Sequence, residues 1–230
     1  YRRFPYRVEN LIVPVRVLGR TVRLEGLRGT RGPLRCTLNG VLHDVGTDRT
    51  AVNLTVTARP LPMDQALLGA LDTPRLARAR RALEALHPRG QAERVEVELT
   101  KEPDGPLQHR VEATLADAAF RFDAFPYAVQ GLAGDVIVLP DRVVLDDLAG
   151  RHGHARLTLG GQVFLQPDGH GLDLHIGGKN LRLDAELREA LPESVQETWR
   201  LLQPGGRADV DLQLRHDLPG EPPRTDYELT

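Results

Sequence analysis

Serine is almost missing from this chain: Ser194 is the sole one in 230 residues. A serine nucleophile would have to be that residue. It lies in a helical stretch, without the Gly-x-Ser-x-Gly elbow that exposes such a hydroxyl. Cysteine is as scarce. Cys36 stands alone, so no internal disulfide and no cysteine-based metal cluster can form. Aromatic residues are 4% of the chain, so its core is expected to be aliphatic. Excess charge of one sign is missing too. A formal net charge of −2 leaves no footprint for nucleic acid and no polybasic membrane patch. There is no apolar run near 18 residues, and the opening Tyr1-Arg2-Arg3 carries neither Met nor a signal peptide.

What the chain does have is a repeat. Phe4-Pro5-Tyr6 returns as Phe125-Pro126-Tyr127. Aligned without a gap, residues 4–40 and 125–161 share 17 of 37 positions, where chance would give roughly two or three. The shared positions include Val8, Leu11, Gly29, Gly32, Arg35 and Gly40, which face Val129, Leu132, Gly150, Gly153, Arg156 and Gly161. The match slips by one residue, pairing Asp64 with Asp184, and resumes at Val95-x-Val97-x-Leu99 against Val210-x-Leu212-x-Leu214. Two tandem units are expected, 1–121 and 122–230, with helical insertions at 64–87 and 184–203. Residues 107–122 precede the second Phe-Pro-Tyr, and Tyr227-Glu228-Leu229 begins what reads as the same strand again. The expectation is an excerpt from a longer array.

Each unit reads as mostly strand. Val13-x-Val15-x-Val17, Val22-x-Leu24, Leu34-x-Cys36-x-Leu38 and Val52-x-Leu54-x-Val56 alternate with polar residues, as do their counterparts in the second unit. Period-two alternation makes one apolar face and one wet face. Gly29/Gly32, Gly150/Gly153, Leu139-Pro140-Asp141 and Pro167-Asp168-Gly169 read as turns. Asp64 and Asp184 read as helix caps. Thr73-Pro74 reads as a second cap ahead of a Leu76, Ala79, Leu83, Leu86 stripe, and Pro192 as the start of a helix carrying Val195, Trp199 and Leu202. The fold class expected is all-β dominated, an antiparallel curved sheet from two tandem repeats, each with a short helical hairpin. The apolar face needs cover. A closed sandwich would bury it as core, and an open trough would turn it toward a ligand.

Chemistry-bearing residues are few. His152-Gly153-His154 has two imidazoles at i, i+2, but no third ligand at fixed spacing, so a polar turn is the better reading. Asp146-Asp147 sends its carboxylates to opposite faces. Cys36 aligns with Leu157 on the apolar face and reads as a small buried hydrophobe. No catalytic residue, metal site or cofactor is expected, and the chain is not expected to be an enzyme.

The string Phe125-Pro126-Tyr127-x-Val129-x-x-Leu132-x-Gly134, then Val143-x-Leu145-Asp146, then Gly150-Arg151-x-Gly153-x-Ala155-x-Leu157-x-Leu159-x-Gly161, resembles the repeats of the AsmA/TamB superfamily. The resemblance covers nearly the whole chain, twice. It implies a segment of a periplasm-spanning, bridge-like lipid-transfer trough, part of an inner-membrane-anchored protein whose anchor lies outside this chain. Its implied partners are phospholipid acyl chains, neighbouring repeats of the same longer chain and other envelope proteins, with no nucleic acid. The trough-lining candidates are Val13, Val15, Val17, Val22, Leu24, Leu34, Cys36, Leu38, Leu54, Val56, Val136, Val138, Val143, Leu145, Leu157, Leu159, Leu174 and Ile176. The alternative is a closed structural or interaction repeat of an envelope protein, for example in outer-membrane protein assembly.

Overall fold

The computed structural model describes residues 6–74, 76–123, 125–166, 169–191, 193–216 and 225–229. The first unit runs β1 (Glu9–Ile12), β2 (Val15–Leu18), β3 (Thr21–Arg31), β4 (Leu34–His43), β5 (Ala51–Arg59), β6 (Leu61–Pro62), α1 (Gln65–Ala70), α2 (Ala77–Leu86), β7 (Gln91–Lys101) and β8 (Gln108–Phe122). The second runs β9 (Phe125–Val138), β10 (Arg142–His152), β11 (Ala155–Gln166), β12 (Gly169–Arg182), α3 (Ala185–Ala190), α4 (Glu193–Leu202), β13 (Arg207–His216) and β14 (Thr225–Leu229).

All fourteen strands join one open antiparallel sheet, in the order β1-β3-β4-β5-β7-β8-β9-β10-β11-β12-β13-β14. The short β2 also pairs with β3, and β6 with β7. Apart from these, each strand lies beside its neighbour in sequence, except that the β5–β7 and β12–β13 connections carry the helical hairpins. The sheet does not close into a barrel. Among the described residues no second sheet packs on it, so the closed-sandwich alternative does not describe this chain. Exposed surface tells the same story. The chain exposes 15226 Å², against about 10,400 Å² for a compact monomer of its mass. Among the described residues no polar or charged residue is buried as a whole, and the largest fully buried side chain is Leu34.

The two units share their backbone peculiarities as well as their residues. Asn10 and Gly131 both have positive φ, as do Gly26 and Asp147, Gly32 and Gly153, and Gly40 and Gly161. The ladder slips at Gly26 and again at Asp147, and such bulges bend a strand and tighten its twist.

Several local expectations need correction. Val13 to Val17 is not one strand. It breaks between β1 and β2 at Pro14, which has no N–H for a ladder. Gly29 and Gly150 are not turn residues but lie inside β3 and β10, and only Gly32 and Gly153 turn. A Cβ at Gly29 would lie 2.4 Å from Val8 Cγ1, and one at Gly150 would lie 2.5 Å from Val129 Cγ1. The shared Val and Gly are therefore one contact, repeated. Thr73 does not cap α2: the residue before that helix is Leu76, and Thr73 Oγ1 is buried without a hydrogen-bond partner. Cys36 is half-buried, not buried. The expectations at Phe4-Pro5, Pro167-Asp168 and Pro192 lie outside the described residues.

Candidate functional site

Strand register decides what the alternating residues build. Leu27 sits opposite Leu38, Leu38 opposite Val56, Val56 opposite Val97, and Val97 opposite Val111. The row continues through Val138, Val143, Val163 and Leu172. Nine successive strands thus contribute one aliphatic side chain each to the same face, and all nine are half-buried. The second unit starts an equivalent row through Leu148, Leu159, Ile176 and Leu212. With twelve strands on the path and about 4.8 Å between neighbours, the apolar face runs about 50 Å across the strands.

The opposite face carries mostly charged and hydroxyl side chains. Arg94 pairs with Glu96, Arg110 with Glu112, His175 with Asp211, and Thr114 donates to Asp135. The Arg94 guanidinium holds the Glu96 carboxyl below the usual carboxylate range. The sheet therefore has one aliphatic face and one polar face.

The helical hairpins cover one end of the apolar face. Asp64 accepts from Leu67 N at 2.9 Å and Asp184 from Leu187 N at 3.1 Å, so both aspartates cap their helices as expected. Each hairpin is then tied down by the same device. In the first unit the Arg31 guanidinium lies 4.6 Å over the Tyr6 ring and 3.6 Å from the Asp64 carboxylate. In the second, His152 takes the place of Arg31. It stacks on Tyr127 at 3.8 Å, donates from Nδ1 to Ala128 O at 2.8 Å, and sets Nε2 3.4 Å from Glu186. His154 lies in the turn beyond, where its carbonyl accepts from Asn180 Nδ2. Trp199 packs with Leu157, Leu183 and Val210 against the Tyr127, Leu181 and Leu187 cluster.

Removing either cap is expected to loosen its hairpin. Asp184→Ala should cost about 1 kcal/mol, read by thermal melting, with Asp64→Ala as the twin measurement. Burial pushes the Tyr127 phenol above its ordinary value, and the Asp184 and Glu186 carboxylates add to the shift. Its folded form holds the proton more tightly than its unfolded form. The stability it contributes is full below pH ~10 and is lost as pH rises through the raised value. A spectrophotometric phenolate titration should place Tyr127 above free tyrosine, and Asp184→Ala should bring it back toward the ordinary value.

Of the sequence-derived candidates, Val22, Leu24, Cys36, Leu38, Leu54, Val56, Val136, Val138, Val143, Leu145, Leu157, Leu159, Leu174 and Ile176 all fall on this face. Leu34 falls there too, but at 2% exposure it is sealed and has no surface to offer. Val15 and Val17 extend the face onto the edge strand β2, and Val13 lies in the gap before it. Leu27, Val97, Val111, Val163 and Leu172 belong to the row and were not among the candidates. Their signal was legible: Val95-x-Val97-x-Leu99 already aligns with Val210-x-Leu212-x-Leu214.

Among the described residues no His, Cys, Asp and Glu gather in a group able to hold a metal, and no helix is long and apolar enough to cross a membrane. No protein-family model matches the chain, and neither a curated protein nor a solved structure matches it.

Proposed function

We propose that the apolar face shelters phospholipid acyl chains, and that the chain is a segment of a periplasmic lipid-transfer trough between inner and outer membrane. The observation that carries this reading is the unbroken row from Leu27 to Leu172, each residue only partly buried, on a sheet that does not close. Shelter for each acyl CH₂ is worth roughly 0.8 kcal/mol, so a 16-carbon chain needs about 12 kcal/mol along its path. A continuous aliphatic lane offers that without a catalytic group and without tight, specific contacts. The resemblance of the Phe-Pro-Tyr and glycine-spaced string to AsmA/TamB repeats points the same way. The hairpins narrow one side of the lane, and the polar face keeps the segment wetted.

The test is native mass spectrometry with lipid extraction on protein purified from a bacterial host without detergent. Co-purified phospholipid, displaced by added fatty acid, is the expected result. A clean apo mass, together with no uptake of fluorescent phospholipid from vesicles, would sink the lipid reading.

A further inference from the structure

The strongest unabsorbed feature is the first edge of the sheet. Every residue of β1 and β2 is exposed, including Leu11 at 57%, Val17 at 62% and Leu18 at 78%. Yet β1–β2 lies on β3 in the same register as β9 lies on β10. Glu9 faces Thr30 as Gln130 faces Arg151, and Ile12 faces Arg28 as Ala133 faces Ala149. Val15 faces Leu24 as Val136 faces Leu145, and Val17 faces Val22 as Val138 faces Val143. The difference is on the other side. β9 is hydrogen-bonded to β8, whose Val111 sits opposite Val138 and whose Ala118, fully buried, sits opposite Leu132. Among the described residues β1–β2 has no such neighbour.

We propose that the β1–β2 edge is an acceptor for one extended strand of β8 chemistry, supplied by a further repeat of the same kind. That strand places small and aliphatic residues on the apolar face and charged residues on the other. The internal joint predicts its register: the position equivalent to Val111 faces Val17, and that of Ala118 faces Leu11. Pro14, standing where β9 has Asp135, withholds one N–H, and its neighbours keep theirs. An exposed apolar edge of this kind is what strand addition uses.

The experiment uses the whole chain with Cys36→Ala and Val17→Cys, and a synthetic peptide of residues 107–122 carrying Val111→Cys. Under mild oxidation the matched pair is expected to cross-link roughly tenfold faster than a peptide carrying Glu112→Cys, because a one-residue slip turns the thiol to the opposite face. Amide exchange over residues 9–18 should slow when the peptide is added. Four results would each overturn the proposal: no cross-link, equal cross-linking in both registers, faster cross-linking to Val138→Cys than to Val17→Cys, or no protection of residues 9–18. The third would mean that the peptide displaces β8. A disulfide-linked homodimer of the Val17→Cys chain formed in preference to the peptide adduct would also overturn it, and would name a second copy as the occupant.

Discussion

A chain carrying Val97→Glu, Val138→Glu and Val163→Glu is expected to melt cooperatively and to bring down no lipid. The three positions belong to one row, two strands apart, so neighbouring carboxylates stand about 9–10 Å from one another. Were this face a filled core, each substitution would bury a carboxylate. That costs several kcal/mol even after relaxation, and three would unfold a domain of ordinary stability. On an open face each side chain is already partly exposed, and its carboxylate can reach water. The loss is then on the order of 1 kcal/mol per site, chiefly lost aliphatic contact. An acyl chain following the row would meet three charges in place of three isopropyl groups and would lose its shelter. Calorimetry and lipid extraction on one sample decide the matter. Loss of the melting transition would mean a filled core. A folded variant that still carries lipid would place the lipid elsewhere.

Gly161→Ala is expected to be severely destabilising, by about 3–4 kcal/mol or more. Gly161 has φ +121°, and a Cβ there would lie 2.1 Å from Asp173 O and 3.0 Å from Leu174 Cα on β12. Both atoms belong to the backbone of the neighbouring strand, so relief means breaking the ladder. Gly40 has the same geometry in the first unit, with φ +142° and Asn53 O at 2.1 Å, and Gly40→Ala should behave alike. Gly153→Ala is the control. Its φ is +56° with nothing within 4 Å of the added Cβ, and the left-handed conformation alone costs about 1–2 kcal/mol. Denaturant titration of the three variants should separate them clearly. Equal midpoints for Gly161→Ala and Gly153→Ala would mean that the close strand approach at Gly161 contributes little to the fold.

These glycines illustrate how far the sequence could be read. Identity at Gly40/Gly161 and Gly29/Gly150 marked them as structural, but the two pairs do different things. The first forces a strand to pass close to its neighbour, and the second makes room for Val8 or Val129. For Gly29 and Gly150 position alone suggested a turn, because glycine permits several roles and only the neighbouring strand tells them apart. Asp64 and Asp184 were legible as caps because a cap is a local event, settled within four residues. Thr73 was misread because Pro74 suggested a helix start that the chain reaches only at Ala77. The latch of Tyr127, His152 and Glu186 joins β9, β10 and α3, and no spacing rule connects residues so far apart. Its counterpart in Tyr6, Arg31 and Asp64 keeps the device with arginine in place of histidine.

By itself the sequence determined that one unit recurs twice, that each strand has one apolar and one polar face, and that Asp64 and Asp184 open helices. All of these are short-range facts, written in alternation, capping and repetition. Tertiary structure alone decided whether the apolar face is a core or an open lane. Alternation says which side a residue takes but not what lies across from it. Only the ladder register aligns Leu27 with residues as distant as Leu172, and only the absence of closure leaves that row partly exposed.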